Sequence, residues 1–458
     1  MAAGLAARSP GLPRAVPLIL VAALAALAAV AASGNVLLAL VVALVPAVLL
    51  LAVRPAAAAV LGVGLVPFAA DVVQGGPVRV SISDVLLALA VVTGVLTARR
   101  RGWLALRPML PLLATYTGVL LLALVAHLDA SALINGVQRL QILLVPLVVG
   151  AVLLDRAHLQ RALSLYVLTA TLLAVAWSAD VLPPELAFQK NPVGQFIAGA
   201  LLIIASDARR WGRLLALPPL AFGLLQTESR GALLGLLFGL GVLVVARPGA
   251  DKVRTAALLV PFLLVLGLAY QSLPDDVQAR TSTLSDNGPG AGSSGQYTIQ
   301  IREAYRQDAL RVIEDHAVVG VGIGNYLAGN RSDGTLTDDP HNVLLLEAAE
   351  GGVPLAAVLV VLIGGSGVLL WRRRQDTPLA ALALAVQAAT LGHGLVDVYW
   401  VRGTPVLGWL LVGAALADAA RRRSERDAWP AGQVGDARTL RQRLGRQRRP
   451  SPGLLSQA

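Results

Sequence analysis

A histidine placed between a polar loop and an apolar run is the group in this chain best suited to chemistry. His341 stands in Thr337-Asp338-Asp339-Pro340-His341-Asn342, directly before Val343-Leu344-Leu345-Leu346. Asp339 is positioned to cap the helix that the apolar run predicts, and Pro340 fits its first turn, so the imidazole is expected at a helix N-terminus. The positive end of the dipole lowers a histidine's proton affinity there, which keeps it neutral, and free N–H groups beside it suit an anion such as phosphate. One position thus offers a base and a phosphate site.

The elements that must hold this residue are membrane helices. The 458 residues are 56% hydrophobic and 14% charged, with mean hydropathy +0.69, and charge-poor stretches recur along the chain. Helices that satisfy their own backbone polar groups in lipid need about 20 apolar residues each, which makes the expected fold an all-α polytopic membrane bundle of about 12–14 transmembrane helices. There is no cysteine, which excludes disulfides and thiol chemistry. The formal net charge of +11 does not point to nucleic acid. Most of it lies in a tail running from Arg421 to Arg449, which reads as a basic segment near anionic lipid.

Candidate spans fall at 15–32, 36–53, 56–70, 84–98, 108–126, 137–154, 159–178, 192–206, 214–226, 231–246, 255–270, 353–371, 378–398 and 404–420. Clusters such as Arg99-Arg100-Arg101, Arg209-Arg210, Arg372-Arg373-Arg374 and the tail occupy every second connection, which places those connections and both termini in the cytoplasm. The division expected is a cytoplasmic N-terminus (1–14), a bundle (15–270), an extracytoplasmic loop (271–352), C-terminal membrane helices (353–420) and a basic tail read as disordered (421–458). The first span is read as a retained anchor. Lys190, Arg230, Arg302, Arg306 and Arg331 then lie on the outer side, against the rule, and binding an anion is one reason for positive charge there.

The loop 271–352 is the one connection long enough to carry structure of its own. Tyr297, Ile301, Tyr305, Ala309, Val312 and Ile313 repeat at helical spacing, with Arg302 and Arg306 on another face, so an amphipathic helix is expected on the membrane or the bundle. Val319-Gly320-Val321-Gly322-Ile323-Gly324-Asn325 follows. Alternate glycines serve a tight turn or a close contact to phosphate or sugar, and the sequence leaves both open. A straight helix from His341 to Trp371 would extend about 45 Å, longer than the ~30 Å hydrocarbon core, so a break at Gly351-Gly352 and Pro354 is expected. His393 and Asp397, four apart, read as a hydrogen-bonded pair on one helix face.

Gly320-Val321-Gly322-Ile323-Gly324-Asn325, Pro340-His341-Asn342-Val343-Leu344 and Glu350-Gly351-Gly352 resemble the signature of the O-antigen ligase and O-antigen polymerase superfamily. Asn191-Pro192, Thr227-Glu228-Ser229-Arg230-Gly231 and the Arg302 helix match in order, so the resemblance covers roughly residues 185–400. It implies an inverting, metal-independent and cofactor-free glycosyl transfer at the outer face of the membrane. The donor would be a glycan on undecaprenyl pyrophosphate and the acceptor a hydroxyl of a glycan or glycoconjugate. On this resemblance His341 is the base and Arg230 and Arg302 hold the pyrophosphate, with Asn342, Gly322, Gly324 and Asn325 of the matching motifs in support; Asp397, read from its spacing to His393, is a further supporting candidate that either orients His341 or fixes packing. The bland readings are a capping histidine at 341, an Arg230 that snorkels to headgroups and an Arg302 paired with a surface carboxylate. A lipid-linked glycan flippase is the alternative in another class, and it would favour internal repeats and midplane charges that the sequence does not show.

Overall fold

The computed structural model describes residues 51–68, 71–75, 78–95, 100–182, 188–207, 214–247, 295–326, 339–397, 399 and 403–427, with scattered positions between 249 and 271. The expected spans at 15–32, most of 36–53 and most of 255–270 lie outside the described residues, as do Arg331, Asp338 and the tail beyond Asp427.

The chain is an all-α polytopic membrane protein. Helices α1 (Pro55–Gly64) and α2 (Ile82–Val95) flank a hairpin of β1 (Asp71–Gly75) and β2 (Val78–Ser81), antiparallel with Gly75 opposite Val78 and a bulge between Asp71 and Val73. Then come α3 (Arg100–Ala105), α4 (Leu110–Ala126), α5 (Ala130–Val148, continued as a π-helical segment to Leu153) and α6 (Arg156–Ser178). The later helices are α7 (Lys190–Ser206), α8 (Leu217–Gln226), α9 (Arg230–Ala246), α10 (Gly295–Asp315), α11 (Val343–Arg373), α12 (Pro378–Gly394) and α13 (Val406–Asp427). Among the described residues, four helices are long and apolar enough to cross a membrane: Arg107–Ala126, Ala130–Leu153, Arg156–Ser178 and Val343–Arg373. Shorter apolar helices, α1, α2, α8, α9 and α12, complete the set. Helix α13 runs on into the segment read as tail, where Asp376 and Asp418 neutralise Arg421, Arg422, Arg423 and Arg426.

Position in the bundle follows from which residues are apolar all round. Pro192 to Ile204 of α7 are all buried, so this helix is central. Helix α4 keeps Leu121, Leu122 and Val125 exposed, and α9 does so with Leu234, Phe238 and Val245. In water such surface would drive aggregation; in a bilayer it is the lipid contact.

Helices without a water-driven hydrophobic force between them must approach closely, and small residues permit that. Gly231, Gly235 and Gly239, spaced four residues apart, form a stripe on α9 that lies on α12. A Cβ at Gly235 would sit 2.6 Å from the Ala389 carbonyl oxygen, and one at Gly239 2.8 Å from that of Ala385. Helix α13 meets α5 in the same way, since a Cβ at Gly413 would stand 2.1 Å from the Leu147 carbonyl oxygen.

The break expected in the long helix is found at Gly352, whose φ of 78° and ψ of 166° interrupt α11 just before Pro354. The glycine motif docks there. Val321 N–H donates to the Ala349 carbonyl at 2.9 Å, Gly322 N–H to that of Glu350 at 2.9 Å, and Val353 N–H to that of Ala317 at 2.8 Å. Helix α10 lies on the bundle, with Ala309 and Val312 packed among Tyr326, Leu346 and Ala349.

The α9–α12 contact yields a prediction. Gly235→Val should lower the thermal midpoint of the detergent-purified protein, by a destabilisation of about 1–3 kcal/mol typical of overpacking. Gly241→Ala, with nothing within 4 Å of the new carbon, should leave the midpoint unchanged or raise it slightly. Equal midpoints for Gly235→Val and wild type would refute the packing.

Candidate functional site

The ends of α9, α11 and α12 meet at one end of the bundle, together with the middle of α10. His341 is the residue before the N-cap of α11, with φ of 54°, a left-handed conformation strained for a histidine. Asp339 does not cap the helix. Its Oδ1 accepts from His341 N–H at 2.7 Å, and Pro340 lies before the first turn. Asn342 is the cap, its Oδ1 accepting from Leu344 N–H at 2.9 Å and Leu345 N–H at 3.1 Å. The same side chain donates from Nδ2 to the Leu395 carbonyl at 2.9 Å, tying the start of α11 to the end of α12.

That tie brings Asp397 to His341. The carboxyl is 1% exposed and lies past the end of α12 at Gly394, so it does not share a helix face with His393 as the spacing suggested. It turns to two other groups. His341 Nδ1 stands 3.4 Å from Oδ1, and Arg302 Nη2 is 3.2 Å from Oδ2. His393 Nε2, buried at the α9–α12 contact, has no hydrogen-bond partner among the described residues.

The carboxylate against Nδ1 holds the His341 imidazole above its ordinary pKa of 6.5, opposed by burial; Asp339 adds to the rise and Arg302 works against it. The expected lowering by the helix dipole is reversed. The first N–H groups of α11 are satisfied by Asn342, and the Asp397 carboxylate lies against the ring. An imidazole braced at Nδ1 by a carboxylate presents Nε2 as a proton acceptor of raised basicity.

Arg302, on α10, reaches the buried Asp397 and not a surface carboxylate, yet its side chain is 37% exposed and keeps an open face. Arg306 pairs with Glu303 at 2.7 Å, both exposed, and belongs to the solvated face. Arg230 opens α9 behind Ser229, which caps it, and follows Glu228 at φ of 51°. The next residue, Gly231, packs against His393 and Val396, which places Arg230 at the Asp397 end of α12. Lys190 opens α7, exposed.

Gly320, Gly322 and Gly324 have φ of 69°, 100° and 79°. A Cβ at Gly320 would fall 2.3 Å from the Glu350 carbonyl carbon, and one at Gly324 2.1 Å from Asn135 Nδ2. Asn325 Nδ2 donates to Asp129 Oδ2 at 2.9 Å. The glycines serve close docking onto α11 and α5.

Two features escaped the sequence. Tyr305 stacks on the His341 ring, centroids 5.7 Å apart and planes 27° from parallel. Its place three residues after Arg302 was the available signal, but it reads equally as core of an amphipathic helix. Deeper in the bundle Arg139, on α5, donates to Glu347 at 2.7 Å and pairs with Glu350, all three buried. Among the described residues no group of three His, Asp or Glu side chains is arranged to hold a metal ion.

Residues 215–360 match the sequence model of the O-antigen ligase family. The match spans 146 of the 458 residues, from 215 to 360. No curated protein shows significant similarity to the chain. The matched range includes Arg230, the glycine motif, Arg302 and His341, whereas Arg139 and Asp397 reach it from helices or turns outside.

The Asp397 contact predicts a titration. In protein labelled at its five histidines, NMR should place the His341 midpoint above 6.5, and Asp397→Asn should lower it. The ion pair's contribution to stability is present in full below the unfolded histidine's pKa and is lost as pH rises through the raised folded value. An unshifted midpoint in Asp397→Asn would break the link.

Proposed function

We propose that the protein transfers a glycan from undecaprenyl pyrophosphate to an acceptor hydroxyl at the outer face of the cytoplasmic membrane, in envelope polysaccharide synthesis. The observation that carries the reading is the meeting of His341 and Arg302, both within the range that matches the O-antigen ligase family, on one buried carboxylate. His341 Nε2 takes the acceptor's hydroxyl proton as that oxygen attacks the anomeric carbon. The bond from that carbon to the pyrophosphate oxygen breaks on the opposite side, so configuration inverts and undecaprenyl pyrophosphate leaves with its electron pair. Arg302 and Arg230 supply multidentate donors to the leaving group, a role that guanidinium planes fill without a metal ion. Asp397 orients the imidazole and stabilises the imidazolium that forms. Ligase and polymerase differ in acceptor only, a lipid-anchored core in one and a growing chain in the other.

The side of the membrane rests on charge. Arg156, Arg373, Arg421 and Arg423 gather at the end of the bundle away from His341, the end that the positive-inside rule assigns to the cytoplasm.

With purified protein in lipid and a fluorescent glycan on undecaprenyl pyrophosphate, wild type should yield a product ladder if it is a polymerase. A single addition to a supplied acceptor is expected if it is a ligase. His341→Ala should reduce either product by about 10²–10⁴-fold, the usual worth of a general base, with the thermal midpoint kept. Full activity in His341→Ala would remove the base assignment. Movement of the lipid across liposomes without transfer would favour a flippase.

A further inference from the structure

Asp339 does not cap α11, and no step of the proposed transfer uses it. It stands two residues before His341, half-buried, with Pro340 buried between them. Its Oδ1 accepts from His341 N–H at 2.7 Å, so the side chain closes a turn over the proline. Proline suits the middle of such a turn, because its φ is fixed and it has no N–H to satisfy.

The turn acts on the residue that follows. His341 has φ of 54°, a conformation that persists in a residue with a Cβ only where the surroundings over-determine it. Two side chains do so here. Asn342 holds the chain after His341, with Oδ1 on the N–H groups of Leu344 and Leu345 and Nδ2 on the Leu395 carbonyl. That fixes where α11 starts and how it meets α12, but it leaves the peptide plane ahead of His341 free to turn. The Asp339 bond fixes that plane, and with it the direction in which the histidine's Cβ leaves the backbone.

That direction decides what the ring meets. Nδ1 stands 3.4 Å from Asp397 Oδ1, and the ring stacks on Tyr305 with centroids 5.7 Å apart. Tyr305 belongs to α10 and Asp397 lies past the end of α12, so neither follows His341 if its backbone turns. A histidine with negative φ would point its Cβ elsewhere and lose both contacts.

We propose that Asp339 is a positioning residue: it holds the left-handed turn at His341 that aims Nδ1 at Asp397 and stacks the ring on Tyr305, leaving Nε2 to the acceptor hydroxyl. The effect on rate rests on the transfer reading; the placement of the ring rests on the geometry alone. The role needs an acceptor oxygen where Oδ1 stands and needs no charge. Charge is a separate contribution, since the carboxylates of Asp397 and Asp339 favour the imidazolium and Arg302 opposes them.

Two substitutions in the full-length protein in lipid separate turn from charge. Asp339→Asn keeps a carbonyl oxygen and loses the charge, whereas Asp339→Glu keeps the charge and carries its oxygens one carbon further out, where this turn does not close. In histidine-labelled protein the His341 ring protons, identified by their loss in His341→Ala, should lie upfield in wild type through the ring current of Tyr305. Tyr305→Leu should remove that shift. Asp339→Asn should keep it, and Asp339→Glu and Asp339→Ala should lose it. With the fluorescent donor, kcat should stay within several-fold of wild type in Asp339→Asn and fall by about 10²-fold in the other two, the cost of a misplacement of about 1 Å, with KM for the donor unchanged. An unmoved His341 resonance in Asp339→Glu and Asp339→Ala would overturn the proposal. So would an Asp339→Asn protein as impaired as Asp339→Glu, which would make the charge and not the turn the active feature. Should Asp339→Ala fail to fold, the comparison of Asn with Glu decides by itself. If wild type transfers no glycan, the transfer reading falls, and the resonances still test the placement of the ring.

Discussion

A helix that breaks inside a membrane protein must find partners for the backbone groups it frees, because lipid offers none. Helix α11 breaks at Gly352, and the glycine motif answers the break: it donates to the Ala349 and Glu350 carbonyls, while Ala317 accepts from Val353 N–H. The fit needs glycine on both sides. A Cβ at Gly352 would lie 2.2 Å from the Val318 carbonyl oxygen, and one at Gly320 would collide with Glu350. The first part of α11, with Asn342 and His341 at its head, is therefore set by this exchange of hydrogen bonds. Arg139 secures it from below through Glu347 and Glu350, and Glu350 also accepts from Tyr326 N–H at 3.4 Å. Arg139 brings the positive charge to two buried carboxylates, so removing it would leave them without that counter-charge at a cost of about 3–5 kcal/mol.

The parts of this arrangement legible in the sequence are those marked by residues rare in their surroundings. A histidine ahead of an apolar run, arginines that break the alternation of positive clusters and glycines at alternate positions all stand out against a 56% hydrophobic chain. The break at Gly351-Gly352 was legible too, from helix length against bilayer thickness. Partners distant in sequence were not. Arg139 falls inside an apolar span, 208 residues from Glu347, and nothing local to either names the other. The cap was misread because Asp339 and Asn342 both have short acceptor side chains, and only the backbone at His341 decides between them. Proton affinity was misjudged for a related reason: the helix end is local, whereas Asp397 arrives through a fold-dependent tie from Asn342 to Leu395.

Positive charge takes two forms at the two ends of the bundle. At the Arg373, Arg421 and Arg423 end it is abundant, exposed and shared over few carboxylates, which suits a diffuse anionic surface. Near His341 it is sparse and aimed. Arg302 is held by a carboxyl that is 1% exposed, and Tyr305 on the same helix covers one face of the imidazole. A surface that merely meets lipid has no need of this geometry; on the proposed reading, a site that must fix one phosphate and one hydroxyl does.

Asp397 cannot serve its two partners equally. One carboxylate faces a guanidinium at 3.2 Å and an imidazole at 3.4 Å, and the latter is longer than a good hydrogen bond. On the proposed reading, a pyrophosphate arriving at the open face of Arg302 competes with Asp397 for that guanidinium. The carboxylate is then less committed to Arg302 and more available to Nδ1 of His341. Loading the donor thus strengthens the base that must act on the acceptor, and an empty site keeps its charges mutually neutralised.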